Sequence, residues 1–555
     1  VSGTNSYPKT FCRVDSVASN KWTLDAAAGA CVQYNEAKGR WLPSTNVGIA
    51  SVGTPTNLTV GFAFIKQTAG EVSSTDLASV ATSAVVTSVA GGLRRSLVGN
   101  NLHIASGTND VPSWYEVVNW TDDNTITIDR DCTTGGNMSV GVGVIGGAMS
   151  MNSTIDDDFG ETAVAGNVIF FKSGTISLGE NYGITTGIGT AVANVTYEGY
   201  DSVWGDNPTG SSRPTFAAGT RQTTMGSFTK FRNIIFTTTH SSGWVFGLTQ
   251  KVSNSKFVNS STSDDAQATG SGAYDGVEAI CYRGRAMQFG SSSFSVKNSY
   301  IHDSDIGILF TTTGTPRVLI ENNIISSNLD ALSFTGAALN GVQIFKNTLY
   351  GSENTTGTGI SFPTASAGLE VKNNIIYGFV TGVDHADTQT DGWDDYNSYY
   401  NNDADVSATG EWQKGNNTIA LDPEFTNVTQ VTGTGASSST NVLTDATKDF
   451  TALGFTTNDH VYLVSGTGTG FAARIYGITA VGTTTLTLTS NITSSGSGSD
   501  IVYQATLGHN YTPGDNMIAA GFPGTFGAAT TSYTAIGAVQ PQGGSSSTDL
   551  LGVMQ

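Results

Sequence analysis

One short motif recurs along the middle of the chain and limits the possible folds more than any other feature. VKNNII at 371–376 is met again as FRNIIF from Phe231, VSNSKF from Val252, VKNSYI from Val296, IENNII from Ile320 and FKNTLY from Phe345. The shared pattern is apolar, any residue, Asn, any residue, then usually two apolar residues. Its asparagines, Asn233, Asn254, Asn298, Asn322, Asn347 and Asn373, are 21, 44, 24, 25 and 26 residues apart, the 44 being about two periods with one coil obscured around 262–285. Strands disfavour Asn, whose amide competes for backbone hydrogen bonds. A period in the low twenties with short strands describes one coil of a solenoid, each strand pairing in parallel with its equivalents above and below. At about 4.8 Å per step, the asparagines would stack into a ladder in which each amide donates to one neighbour and accepts from the other. A second motif, DIGILF from Asp305, LDALSF from Leu329, GTGISF from Gly357 and VTGVDH from Val380, gives each period at least two strands.

Composition agrees with many short strands joined by tight turns: 68 Gly, 12 Pro and 13 % charged residues, with 38 % hydrophobic residues to fill a core. The formal charge of -20, from 45 acidic and 25 basic residues, repels phosphate backbones and anionic lipid, which argues against nucleic acid and membrane as partners. It leaves calcium as the one cofactor to consider, and no metal site is assigned. Cys12, Cys31, Cys132 and Cys281 include no C-x-x-C pair, so neither a zinc site nor a disulfide framework is expected, and only Cys12 with Cys31 forms a plausible local pair. The first residues, VSGTNSYPKT, lack a basic and an apolar leader region, and nowhere do 18 apolar residues run together. Either a leader has been removed or the protein leaves its cell by another route, such as inside an assembled particle.

With these coils the sequence resembles the right-handed parallel β-helix proteins related in fold to pectate lyases and phage tailspikes. GNVIFFKSGTISL (166–178) and VTYEGYDSVWGDNPTGSSRPTF (195–216) look like opening coils. DYNSYYNN (395–402), LDPEF (421–425), DNMIAAGFPG (515–524) and AIGAVQP (535–541) look like closing segments. The resemblance implies an all-β solenoid, and by analogy with tailspikes a homotrimer. It is poor for function, because this fold serves lyases, hydrolases, adhesins and virion parts alike.

Two inserts resemble each other. SLVGNNLHIASGT, YEVVN and NTITID (96–129) parallel FTTNDHVYLVSGT, YGITA and TTLTLT (455–489), a compact β module of about four strands present twice. The expected organisation is an N-terminal β-rich region at 1–70, a first module at 71–150, the β-helix at 151–428, the second module inserted at 429–504, and a final helix segment with a cap at 505–555.

Carbohydrate-active β-helices set carboxylates and a basic residue on one solvent-facing sheet. His302, Asp303 and Asp305 follow one motif, and Asp384, His385 and Asp387 follow another three coils on. Those groups would lie about 15 Å apart, beyond the 5 to 10 Å of a carboxylate pair, so turn roles are favoured. Arg283 and Arg285 in CYRGRAM, near Asp264 and Asp265, are weak candidates for a base and a charge clamp. DGWDDYNSYYNN (391–402) joins Trp393, Tyr396, Tyr399 and Tyr400 to Asp394 and Asp395, the stacking and acceptor groups of a glycan site, although packing of the last coil accounts for the same aromatics. No phosphate loop, zinc-protease helix or nucleophile elbow is found.

The reading these features favour is a non-enzymatic structural protein on a virion surface, a phage head decoration, fibre or tail-associated spike, held by other virion proteins and adhering to host or environmental glycans. A polysaccharide lyase or glycoside hydrolase of the tailspike type is the first alternative, and a bacterial cell-surface adhesin the second.

Overall fold

The computed structural model describes most of residues 72–511, the longest interruptions being 151–165 and 178–189, together with short strands at 14–18, 21–24, 31–35, 40–44, 62–65, 523–525 and 528–533 and a few single positions near the C-terminus. Cys12, Asp264 and Asp387, the side chains of Cys31 and Asp265, and most of the expected closing segments 515–524 and 535–541 lie outside the described residues. Strands supply nearly all regular structure, and the chain forms two compact units, Val1–Phe236 and Thr237–Gln555.

The first unit contains a closed barrel of six antiparallel strands, Val72–Ser79, Val85–Ser88, Asn101–Thr108, Ser113–Asp122, Thr125–Ile128 and Met138–Gly146. Around the barrel they run first, second, fifth, fourth, third, sixth. Alternate residues point inward, so Leu77, Val86, Leu102, Ile104, Val117 and Ile126 are fully buried; each such side chain contributes about 1.5–3 kcal/mol. The same unit carries solenoid strands in parallel register, Val168–Lys172 beside Val195–Tyr200 and that beside Thr229–Arg232. Their inward aromatics stack from coil to coil, Phe171 on Tyr197 at 6.1 Å and Tyr197 on Phe231 at 5.1 Å.

In the second unit the solenoid is regular. Val252, Tyr274, Val296, Ile320, Ile344 and Val371 face one another in a parallel inward column that ends on Asp394. Phe257, Ala279, Ile301, Ile325, Leu349, Ile376 and Tyr399 form a second such column. A barrel with the same strand order as the first is built from Asn427–Ser439, Val442–Thr444, His460–Thr467, Arg474–Val481, Thr485–Leu488 and Gly498–Asn510. Each module thus has six strands rather than about four, because the first and last strands of each module pair with one another and close the barrel.

The asparagine motif marks a bend, not the middle of a strand. Asn233, Asn254, Asn298, Asn322 and Asn373 adopt φ between 46° and 59°, the left-handed region that Asn tolerates better than most residues. Gly276, at φ 62°, occupies that position in the coil whose motif is obscured in the sequence. The buried ladder runs one residue later. Asn323 Nδ2 donates to Asn347 Oδ1 at 2.9 Å, Asn347 to Asn374 at 2.9 Å and Asn374 to Asn397 at 3.0 Å, and Asn397 finishes on Asp394. The backbone amides of Asn323, Asn347 and Asn374 donate to the same oxygens. Of the asparagines expected in the ladder, only Asn347 belongs to it, because in its coil the bend falls on Lys346 at φ 54°. Asn298 and Asn322 form an exposed outer stack instead, Asn322 donating to Asn298 at 2.7 Å and Asn298 to Asp275 at 2.8 Å. Asn233 and Asn254 precede Ile234 and Ser255, which cannot continue an amide column.

Candidate functional site

A dense group of titratable side chains in the second unit forms where its barrel meets the coils. The coil strand Tyr300–Ser304 and the barrel strand His460–Thr467 bring His302, Asp303 and His460 together. Asp303 Oδ2 lies 2.6 Å from His302 Nδ1 and 2.8 Å from His460 Nδ1. The second nitrogen of each imidazole is also engaged, His302 Nε2 with Glu278 Oε1 at 3.2 Å and His460 Nε2 with the Tyr282 hydroxyl at 3.0 Å. Lys256 Nζ completes the chain, donating to Glu278 Oε1 at 2.8 Å. Tyr300 stacks on His302 with ring centres 4.0 Å apart. Side-chain exposure is 8 % for His302, 14 % for His460, 15 % for Glu278 and 22 % for Asp303.

Burial works against the charges of His302, Asp303 and Glu278, and their partners outweigh it. His302 loses solvation, yet the charge and hydrogen bond of Asp303, with those of Glu278, hold its imidazolium up to about 9. Burial would raise Asp303, but the two imidazoles keep its carboxyl well below the usual range. Glu278, likewise desolvated, is brought down to about 2 by His302 and Lys256. The phenols of Tyr282, Tyr300 and Tyr511 are pushed upward, chiefly by burial. The cluster borders a cavity of about 20 Å³ open to water centres, with Gln430, Gln504 and Tyr511 on its other walls; that is room for one or two waters, far below the few hundred Å³ of a small-molecule pocket.

The sequence singled out His302 and Asp303 but not Glu278, Tyr282 or His460. No local pattern joins these residues; the one available signal was the alignment of the two modules, in which His460 falls opposite Asn101. The other candidates do not converge on this cluster. Asp305 accepts from the Gly284 amide at 3.1 Å, and Arg283 and Arg285 are half-buried on the neighbouring coil. Asp384 and His385 belong to the strand Thr381–His385 in the other sheet, with His385 buried against Trp412 at 4.7 Å. Among the described residues no group of three or more His, Cys, Asp and Glu side chains is arranged to hold a metal.

The aromatic and acidic stretch at 391–402 separates into two roles. Asp394 is fully buried, accepting from Tyr399 Oη at 2.7 Å and from Asn397, and burial pushes its carboxyl upward. It closes the amide ladder and the apolar column. Asp395, 6 % exposed, accepts from the Asn417 amide and side chain, both at 3.1 Å. Tyr396 is the bend residue of its coil at φ 58°. Tyr399 lies in the core, and Tyr400 extends the outer stack of Tyr350 and Tyr377, which Phe425 covers. Trp393 alone of the six residues considered there as glycan contacts is well exposed, at 47 %. It points outward between Glu370 and Gln413 on adjacent strands, with Lys372 Nζ 4.0 Å from its ring centre and Gln343 one coil further back.

No protein-family profile matches the chain, and no curated protein matches it. Among solved structures, a mannuronic acid specific polysaccharide family 6 lyase from human gut microbiota is similar over 47 % of this chain and 75 % of its own, at 10 % identity and a TM-score of 0.30. The tailspike protein of Pseudomonas phage LKA1 is similar over 78 % and 81 %, at 12 % identity and a TM-score of 0.17. A mutant tailspike protein of E. coli bacteriophage HK620 is similar over 61 % and 74 %, at 11 % identity and a TM-score of 0.20. The parallel strand register described above makes the fold a parallel β-solenoid.

Proposed function

We propose that this chain is a structural protein of a virion exterior, a head decoration, fibre or tail-associated spike, whose β-helix turns a sheet face toward host or environmental glycans while its barrels serve attachment. The observation that carries the reading is the contrast between its two groups of polar residues. The acid and base side chains that the fold brings together are buried beneath a barrel and consumed in pairing with one another. The exposed sheet face around Trp393 instead offers an aromatic ring, one side of it under Lys372, for the apolar side of a sugar, with Gln413 and the partly paired Gln343 and Glu370 for its hydroxyls. This arrangement suits holding a glycan rather than cleaving it.

The test is incubation of the purified protein with a panel of bacterial capsular and algal polysaccharides, measuring binding, new reducing ends and the absorbance of unsaturated uronic products. Saturable binding without product, weakened about tenfold or more in Trp393→Ala, is the expected result. Release of either product would replace this reading with a depolymerase, and binding untouched by Trp393→Ala would move the glycan face elsewhere.

A further inference from the structure

The ion-pair chain of the second unit is more than a way of burying charge. It joins coil residues to a barrel residue far along the chain. Asp303 is the hub, and it is held on one side by His302 from its own strand and on the other by His460 from the barrel. Polar contacts across this junction among the described residues include Asp303 to His460, the Tyr282 hydroxyl to His460, and the Ile475 amide to the Tyr282 carbonyl at 3.0 Å. The first two pass through His460, and each depends on how Asp303 and Tyr282 are positioned.

We propose that His302, Asp303 and His460 form a latch that holds the second barrel against the solenoid at neutral pH and loosens as the medium becomes alkaline. His302 is sandwiched between Asp303 and Glu278, so its positive charge offsets two carboxylates that the fold places side by side. Without that charge, Asp303 and Glu278 face each other through a neutral ring, with Lys256 left to balance Glu278 alone. The groups packed on His302 are Glu278, Asp303, Tyr300 and, across the cavity, His460 and Tyr511. The phenols among them, with Tyr282 beside His460, are pushed upward by burial and stay protonated through mildly alkaline conditions.

The sign is fixed by linkage. An imidazole whose folded value is raised to about 9 contributes stability that is complete below its ordinary range and is lost as the pH rises through the folded value. The latch is therefore tight at pH 6 and loosens between pH 7 and 10. Loss on the acid side needs protonation of Asp303 and Glu278, both held low, and so falls well below pH 4.

The experiment is hydrogen exchange on the full chain across pH 6 to 10, with each amide expressed as a protection factor so that intrinsic base catalysis cancels. The reporter is the Ile475 amide, bonded across the junction to the Tyr282 carbonyl. Its protection is expected to fall about tenfold or more between pH 7 and 10, while amides inside the barrel, such as those pairing Thr485–Leu488 with its neighbours, hold steady. His302→Gln is expected to show reduced protection already at pH 7 and no alkaline fall, whereas His460→Gln lowers protection but keeps the fall. A flat wild-type profile overturns the proposal whether or not the variants fold, and so does a His302→Gln variant that follows the wild type.

Discussion

The two barrels have the same strand order, yet each meets the coils of its own unit through opposite chemistry. In the first, position 101 is Asn and stands opposite Glu116; in the second, position 460 is His and stands opposite Gly477. The equivalence is sound, because the backbone carbonyls of Glu116 and Gly477 accept the same bond, from the amides of Asp129 and Thr489, both at 2.9 Å. The first barrel supplies the carboxylate: Glu116, 1 % exposed, accepts from Lys172 Nζ at 3.0 Å and from Tyr200 Oη at 3.0 Å. The second barrel supplies an imidazole, and the coils supply the carboxylate, Asp303, and the phenol, Tyr282. A carboxylate, a nitrogen base and a tyrosine thus recur at both junctions with their donors and acceptors exchanged. The shared scaffold fixes where a junction can form, while the few side chains at that place fix its charge and its response to pH.

The sharpest way to break the first junction is Glu116→Leu. It leaves Lys172, 17 % exposed, without its counter-charge, and a loss of about 3–5 kcal/mol is expected in chemical unfolding of the protein. Asp303→Asn at the second junction removes the negative charge that two imidazoles share and turns one of its two acceptor oxygens into a donor. A loss of about 2–4 kcal/mol is expected, read as a lower thermal midpoint for the second barrel with the first unchanged. Exchanging the chemistry by Gly477→Glu tests whether the junctions are interchangeable. A side chain there meets Thr489 Cγ2 at 2.9 Å and the Tyr282 hydroxyl at 3.5 Å and adds a carboxylate near Asp303, so destabilisation of about 1–3 kcal/mol is expected; a neutral or stabilising result would show that the place, not the polarity, decides.

The smallest effect concerns pH. Burial, with the nearby charge of Glu116, raises the Asp129 carboxyl from its ordinary 3.8 to about 6 although Arg130 pairs with it at 2.7 Å. A raised folded value means stability is fullest below about pH 4 and is lost as the pH climbs through 6. The first barrel should therefore lose about 1–2 kcal/mol between pH 4 and 6, a loss absent from Asp129→Asn, whereas at the second barrel only the junction with the coils loses protection, and only above pH 7. Coincident pH profiles for the two barrels would erase the contrast.

Much of the fold was legible because solenoid repetition is a sequence property: equivalent residues return every two dozen positions, so the inward column from Val252 to Val371 repeats as text. The duplication of the barrels was legible for the same reason. Their six-strand closure was not, since Val72–Ser79 and Asn427–Ser439 are held by pairing on both sides rather than by alternation of their own. The ladder was misplaced by one residue because Asn322 and Asn323 look alike in sequence, and only backbone handedness tells the bend residue from the buried one. Asp394 and Asp395 invited a glycan role as acids beside aromatics, while the structure commits both to closing the last coil.

The sequence by itself determined the period, the all-β class and the presence of two related modules, because these depend on local patterning repeated along the chain. Which side chains meet did not follow from it. Asp303 and His460 are joined only when the inserted barrel folds back on the coils, and their protonation depends on the burial and charges found there. Only the tertiary structure could place a histidine between two carboxylates and leave Trp393 outside.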